Sequence, residues 1–309
     1  MLALVAGGSS ETGLELVEVE EPRPRAGEAL VEVRAVSLNR GEVRRLADAE
    51  AGERPGWDVA GVMRRAAADG SGPGEGTRVV GLTPGRGWAQ RVAVSTDVLA
   101  ALPDQVSDVQ AAALPIAGLT ALRALHRGGL LLGARVLVTG AAGGVGRFGV
   151  QLAGLAGAAE VHAVVRSVER AAGLAALGAT RVLVGGEDLD GPYDLVLEGV
   201  GGSSLSRAAA VVGPGGTVVS YASSVAQPAE LPPRWFGLAP RAKVSGLFIF
   251  DELAHTRSGV ADLGTLAALV ARGRLDPQVT RQASWRDAEP LLRALLDREV
   301  AGKAVLHVD

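Results

Sequence analysis

The sequence predicts an α/β protein with a doubly wound parallel sheet in the middle of the chain and β-rich segments at both ends. Three observations predict it. Residues 135–250 alternate short apolar runs with helical-period segments, the pattern of a parallel sheet covered by helices. A glycine turn, Gly140–Gly146, joins one of those runs to its helix. Residues 1–115 instead carry many short strand-like runs separated by Gly, Pro and polar residues, as antiparallel barrels and sandwiches do.

Taken in order, residues 2–5, 14–20, 29–36, 59–64, 78–82 and 89–95 read as strands, with a short helix over 42–51. From Val106 the period turns helical. Ser107 caps one helix that stops at Pro115, and a second spans 119–125. Then come strand 136–139, helix 147–155, strand 161–165, helix 169–177, strands 181–184 and 194–198, helix 205–212, and strands 217–221 and 244–250. Amphipathic helices follow at 262–273 and 287–298. A last strand, 303–308, is able to close back on the amino-terminal region.

Composition removes several classes of function. The 309 residues suffice for one large or two ordinary domains, and a hydrophobic fraction of 48% is ample for a core. A net charge of −3 with no basic stripe is not a nucleic-acid footprint. No apolar run reaches the roughly 18 residues of a membrane span. The start, Met1-Leu-Ala-Leu-Val-Ala6, is short and lacks the positive region of a signal peptide, so a soluble cytoplasmic protein is expected. With no cysteine there are no disulfides, thiol nucleophiles or thiolate metal ligands. His126, His162, His255 and His307 are far apart in sequence, so no metal site is expected.

The glycine turn carries the chemistry. A strand that feeds a helix through such a turn leaves unpaired N–H groups at the helix start, where the dipole also favours an anion. Ala141-x-Gly143-x-x-Gly146 fits the dinucleotide fingerprint with alanine at its first position. Ala142, Gly143, Gly144, Val145 and Gly146 are therefore the expected diphosphate contacts. An NAD site usually has an acidic residue about 20 residues further on. This chain has Arg166-Ser167-Val168-Glu169-Arg170. Two guanidinium groups and a hydroxyl suit a 2′-phosphate, because Arg binds phosphate through parallel charge-assisted bonds. Each such bond contributes about 1.5–3 kcal/mol. NADPH is expected over NADH. Glu169 either reaches the ribose or sits in the next helix's first turn for dipole reasons.

With these motifs in view, nearly the whole chain resembles the medium-chain dehydrogenase/reductase superfamily, in particular its zinc-independent, quinone oxidoreductase-like branch. The lead-in Glu21-Pro-Arg-Pro-Arg-Ala-Gly27 and the segment Ala35-Val-Ser-Leu-Asn39 are similar to the family's. Pro55-Gly-Trp-Asp-Val-Ala-Gly61 stands where zinc-dependent members carry Gly-His-Glu. Ala112–Ala121 resembles the family's inter-domain segment, Gly140–Gly146 the branch's cofactor turn, and Gly302-Lys-Ala-Val-Leu306 its closing strand.

The resemblance implies NADPH-dependent reduction of a quinone or an α,β-unsaturated carbonyl. It implies a Rossmann domain, residues 116–250, and a GroES-like catalytic domain built from residues 1–115 and 251–309. It also implies a homodimer joined through the edge strand near 244–250. Ser37 and Trp57 stand near the positions of the zinc ligands, so metal chemistry is not inherited. No tyrosine lies between Asn39 and Gly61, where many zinc-free relatives have one; the chain's two are Tyr193 and Tyr221.

Hydride transfer leaves the protein to position the acceptor and to stabilise the developing enolate. Asn39 is the catalytic candidate: its amide N–H donates to the acceptor oxygen or to the nicotinamide ribose, or else it is a turn residue. Arg40 and Trp57 are candidates to line the substrate site, against the plainer readings of a solvated cation and a core aromatic. Asp58 reads mainly as structural. Thr120 caps a helix or touches the cofactor. Gly199, Val200 and Tyr221 lie at strand ends on the edge where such sheets bind ligands, and Tyr221 is a second proton-donor candidate. Leu247, Phe248 and Ile249 bring backbone groups to the nicotinamide carboxamide or form a core strand. Lys303 approaches the cofactor or is an exposed lysine before a strand. Two other functions compete: an enoyl-thioester reductase of lipid or polyketide type, and an NADPH-binding protein without turnover.

Overall fold

A computed structural model of the chain describes residues 1–7, 13–186 and 188–309. The chain forms two compact units, Met1–Leu119 with Leu253–Asp309, and Thr120–Glu252. In chain order the elements begin with strands β1 (Leu2–Ala6), β2 (Leu14–Glu18) and β3 (Glu28–Leu38), helix α1 (Arg40–Arg45), and strands β4 (Asp58–Arg65), β5 (Arg78–Leu82), β6 (Arg91–Ser95) and β7 (Leu99–Ala101). Helices α2 (Asp108–Ala112) and α3 (Pro115–His126) follow. Next come β8 (Arg135–Val138), α4 (Gly144–Leu155), β9 (Glu160–Val165), β10 (Arg181–Val184), β11 (Tyr193–Glu198), α5 (Ser203–Val211), β12 (Val212–Ser220), α6 (Trp235–Leu238) and β13 (Lys243–Gly246). The chain closes with α7 (Ile249–Thr256), α8 (Gly259–Ala271), β14 (Val279–Ser284), α9 (Glu289–Leu296) and β15 (Lys303–His307).

The first unit is built on a seven-stranded sheet in the order β14-β15-β3-β4-β5-β7, with β6 also on β3. β3 is buried at most of its eleven positions and pairs antiparallel with β4, β6 and β15. Its inward face joins Trp88, Trp285 and Leu292 in one core. The register brings the two chain ends together. Ala304 pairs with Leu38 and Ser37 pairs with Asp58, so positions 303, 39 and 58 become neighbours.

The second unit holds a six-stranded, all-parallel sheet in the order β10-β9-β8-β11-β12-β13. Numbered within the sheet this is 3-2-1-4-5-6, the doubly wound order whose ligands bind where the winding reverses, here between β8 and β11. The strands are near-continuous Val/Leu runs because both faces of such a sheet are covered.

Three expectations change. The helix expected over 169–177 is a short 3-10 turn, Val168–Ala171, followed by turns. Ala172 leaves helical geometry (ψ 129°) and Gly173 takes φ 78°, which stops the helix. The strand expected over 244–250 ends at Gly246, and Ile249 already begins α7, so Leu247, Phe248 and Ile249 are no core strand. Pro115 starts α3 rather than ending its predecessor, because the first helical position needs no N–H. The edge strand β14 carries no apolar alternation and leaves no strand signal in the sequence.

Candidate active site

The glycine turn lies at the carboxyl end of β8, beside the switch point. Gly140 adopts φ 59°, and Gly143 donates its N–H to Gly140 O at 2.9 Å to close the turn. A Cβ on Gly146 would lie 2.5 Å from Gly140 O and 2.6 Å from Ala141 Cα, so only glycine lets the helix start this near the strand. Gly143 is exposed while Ala142, Gly144 and Val145 are half-buried, leaving main chain open at the start of α4. The first N–H groups of a helix have no intrahelical partner. The turn therefore fits a diphosphate.

Behind it lies a buried carboxylate. Glu198, fully buried at the end of β11, accepts from Val200 N (3.0 Å), from Gly201 N (3.0 Å) and from the Thr139 hydroxyl (3.1 Å). The same hydroxyl accepts from Gly199 N at 3.0 Å. These bonds lock Gly199–Gly201 against the turn. A Cβ on Gly199 would meet Tyr221 Oη at 2.5 Å, so a side chain there would displace the Tyr221 ring. Burial, and then the Glu198 charge, push the Tyr221 phenol well above its ordinary 10.0. It is an acid able to donate a hydrogen bond and reluctant to ionise.

On the other side of β8, β9 ends at Val165 and releases Arg166, which is exposed, then half-buried Ser167 and Arg170. Glu169 is solvent-exposed, and a hydrogen bond from the Ser167 side chain holds its carboxyl below the usual range. Arg147, in the first turn of α4, is buried and donates to Ala142 O at 3.4 Å and Ala172 O at 2.9 Å.

The first unit contains its own polar cluster. Lys303 Nζ donates to Asn39 Oδ1 (2.7 Å) and Leu38 O (3.3 Å), and lies 3.5 Å from Asp58 Oδ2. Asn39 Nδ2 donates to Asp58 Oδ2 at 2.8 Å, with Glu42 Oε1 at 3.4 Å. Asp58 Oδ1 accepts from Ile116 N, and Glu42 accepts from the main-chain N–H of Asn39 and of Trp57. Asp58 is fully buried, Glu42 and Lys303 nearly so. Burial pushes both carboxyls up, Glu42 further because of the Asp58 charge, and pushes the Lys303 ammonium down; the lysine charge opposes the shift of each carboxyl.

Known proteins share this architecture. The family model for zinc-binding dehydrogenases matches residues 177–306. The quinone oxidoreductase from Thermus thermophilus, solved also as its complex with NADPH, is 32% identical, with a TM-score of 0.85 and all of both chains covered. The chain belongs to the medium-chain dehydrogenase/reductase superfamily, in its quinone oxidoreductase-like branch. A chloroplast envelope quinone oxidoreductase homolog of Arabidopsis thaliana is 38% identical over 167 residues, 49% of this chain and 51% of that protein. The spectinabilin polyketide synthase protein NorB of Streptomyces orinoci is 33% identical over 316 residues, 97% of this chain and 14% of that protein. The chain thus spans 51% and 14% of the length of these two curated relatives.

Within this medium-chain dehydrogenase/reductase, the cofactor candidates of the second unit gather around the carboxyl edge of one sheet: Ala142–Gly146, Arg166, Ser167, Arg170, Gly199, Val200 and Tyr221. Leu247 stays near that edge, donating its N–H to Ser220 O at 2.9 Å, while Phe248 is 66% exposed. Thr120 is buried inside α3 rather than at its start, so it caps nothing. Lys303 is not an exposed lysine: its ammonium is spent on Asn39 and Asp58. The Asn39 amide, the expected donor to a substrate or ribose oxygen, donates one N–H to Asp58. Trp57 is half-buried with its ring against Gly41, and Arg40 is half-buried beside it in the chain.

Three contributors escape the sequence reading: Glu198, Glu42 and Arg147. Asn39-x-x-Glu42 has the spacing of a capping box, which was a usable signal. Among the described residues no group of three or more His, Cys, Asp or Glu is placed to hold a metal, and no helix is long and apolar enough to cross a membrane.

Proposed function

We propose that this chain is an NADPH-dependent, zinc-free oxidoreductase that delivers hydride to a quinone or an α,β-unsaturated carbonyl. The observation that carries the reading is the glycine turn at the reversal point of the doubly wound sheet, with Arg166, Ser167 and Arg170 at the next strand end. The turn and the start of α4 would hold the diphosphate, and the arginines the 2′-phosphate. When bound, the dihydronicotinamide supplies the hydride. Both acceptor types are electron-poor double bonds conjugated to a carbonyl, so one site chemistry serves both.

Asn39, Arg40 and Trp57, all in the first unit, are the substrate candidates of the proposal. Asn39 is held in one amide orientation by Lys303 and Asp58. A group fixed this way orients a substrate without reorganising during reaction. Tyr221, kept protonated, is the second candidate donor to the acceptor oxygen. A homodimer through β13, the exposed edge strand of the parallel sheet, belongs to the same reading.

NADPH oxidation in the presence of quinones, simple enones and a crotonyl thioester tests the function. Turnover with the first two supports it. A marked preference for the thioester favours an enoyl-thioester reductase, the reading that the match to a polyketide synthase protein supports. NADPH binding without oxidation of any acceptor leaves a cofactor-binding protein. For the cofactor, Arg166→Ala is expected to weaken NADPH by about tenfold or more, the worth of one charge-assisted bond. Unchanged affinity refutes the assignment. For Asn39, single-turnover hydride transfer in Asn39→Ala decides: a rate within about twofold of wild type removes it from the chemistry.

A further inference from the structure

Arg147 joins the two segments to which the proposed function assigns phosphate. It stands in the first turn of α4, where a cation opposes the helix dipole. Side chains of a helix lean toward its amino end, and this one runs back toward the turn. It is only 6% exposed. Its Nε donates to Ala142 O within the glycine turn, at 3.4 Å. Its Nη2 donates to Ala172 O, at 2.9 Å, just past the 3-10 turn that carries Arg170. Gly173 lies beside it: a Cβ there would be 3.5 Å from Nη1.

Sheet pairing fixes β8 against β9 only as far as Val138 and Ala163. One main-chain bond, from Ala141 N to Val164 O, extends that link to the turn. Residues 166–172, with Arg166, Ser167 and Arg170, run on past the end of β9, and the Arg147 bridge ties their far end back to the turn. We propose that Arg147 is a positioning residue that sets the preference for a 2′-phosphorylated dinucleotide, by fixing the spacing between the diphosphate turn and the Arg166–Arg170 segment. The inference rests on the reading of those two segments as phosphate sites. Loss of the bridge leaves the turn, which NADH and NADPH use alike, and loosens the part that NADPH alone uses. The effect is therefore differential.

Arg147→Met keeps an apolar stem and removes the donors. Dissociation constants for NADPH, NADH and 2′,5′-ADP, read by fluorescence and calorimetry, are compared with wild type. The NADPH-over-NADH preference is expected to fall about tenfold, with 2′,5′-ADP weakened in parallel and NADH changed less than about threefold. Arg147→Lys, which keeps the charge and fewer donors, is expected to recover part of the preference. Equal weakening of both dinucleotides marks a brace with no part in selectivity and overturns the proposal, as does an unchanged preference. If Arg147→Met does not fold, the same ratio in Arg147→Lys decides. A wild-type chain that binds neither dinucleotide overturns the proposed function as well, before any variant is compared.

Discussion

Replacing Lys303 by Met removes the cation from a cluster that buries two carboxylates. Lys303 is 3% exposed and Asp58 0%, so water screens the pair very little. Breaking a buried pair by deleting one partner costs about 3–5 kcal/mol, because a charge is left without compensation. Here the loss includes the bonds from Nζ to Asn39 Oδ1 and Leu38 O, which places the cost toward the upper end. The pH dependence follows from the carboxyls. Burial raises Asp58 above 3.8 and Glu42 well above 4.5, and the Lys303 charge opposes both shifts. A carboxyl whose folded value is raised takes up a proton while the unfolded chain is still ionised. Stability then rises as pH falls through the raised value toward the ordinary one. Without Lys303 both values rise further and the dependence steepens. The deficit of Lys303→Met is therefore larger at a pH above the raised carboxyl values than at one near the ordinary 3.8 and 4.5. Urea unfolding followed by tryptophan fluorescence reports on this unit, because Trp57, Trp88 and Trp285 are three of the chain's four tryptophans. A deficit below about 1 kcal/mol, the worth of an exposed pair, or one that is equal at both pH values, refutes the reasoning.

Other consequences are open to direct measurement. Burial lowers the His162 imidazole below 6.5, against the opposing charges of Asp190 and Glu160 and aided by Arg135 and Arg181. The unfolded chain takes the proton first, so stability is lost as pH falls from 6.5 through the depressed value. His162→Gln should flatten that part of a thermal-melting profile, and an unchanged slope would remove His162 as its cause. Gly146→Ala drives a Cβ into main-chain atoms of Gly140 and Ala141. It should cost about 1–3 kcal/mol by overpacking and abolish dinucleotide quenching at micromolar ligand; retained affinity would show that the turn does not hold the diphosphate. Gly199→Ala meets a movable side chain, the Tyr221 ring, so stability should change little while turnover falls alongside that of Tyr221→Phe. Full activity in both variants would take Tyr221 out of the reaction.

Much of the fold was legible because its signals are local. The strand–turn–helix around Gly140–Gly146 is contiguous, and Val/Leu runs such as β8 and β9 need no distant partner to be recognised. The losses came where a glycine conformation or tertiary contact overrides the apolar pattern. Residues 169–177 hold Ala and Leu enough for a helix, yet Gly173 in the left-handed region ends it. Val244–Phe250 is apolar enough for a strand, yet β13 stops at Gly246, and Ile249 and Leu253 turn their faces inward as helix. β14 shows no alternation because, as an edge strand, most of it faces solvent.

The candidate site divides along the same line. Its glycine turn and arginines are read from one stretch of chain. The cluster around Asn39 is not, since Lys303 reaches it across 264 residues and only the antiparallel register of β15 on β3 makes the two neighbours. That register also changes what Asn39 is. Its amide is tied on both sides, with Oδ1 taken by a cation and Nδ2 by a carboxylate, so the orientation of its dipole is set by buried charge rather than by solvent. The neutral amide itself does not titrate. Its neighbours are where proton uptake would first be felt. Glu198 does the corresponding work in the other unit, turning the main chain of Val200 and Gly201 toward itself and fixing the wall behind the glycine turn. In both units a buried carboxylate, Asp58 in one and Glu198 in the other, fixes the orientation of groups that sequence reading singles out as chemical.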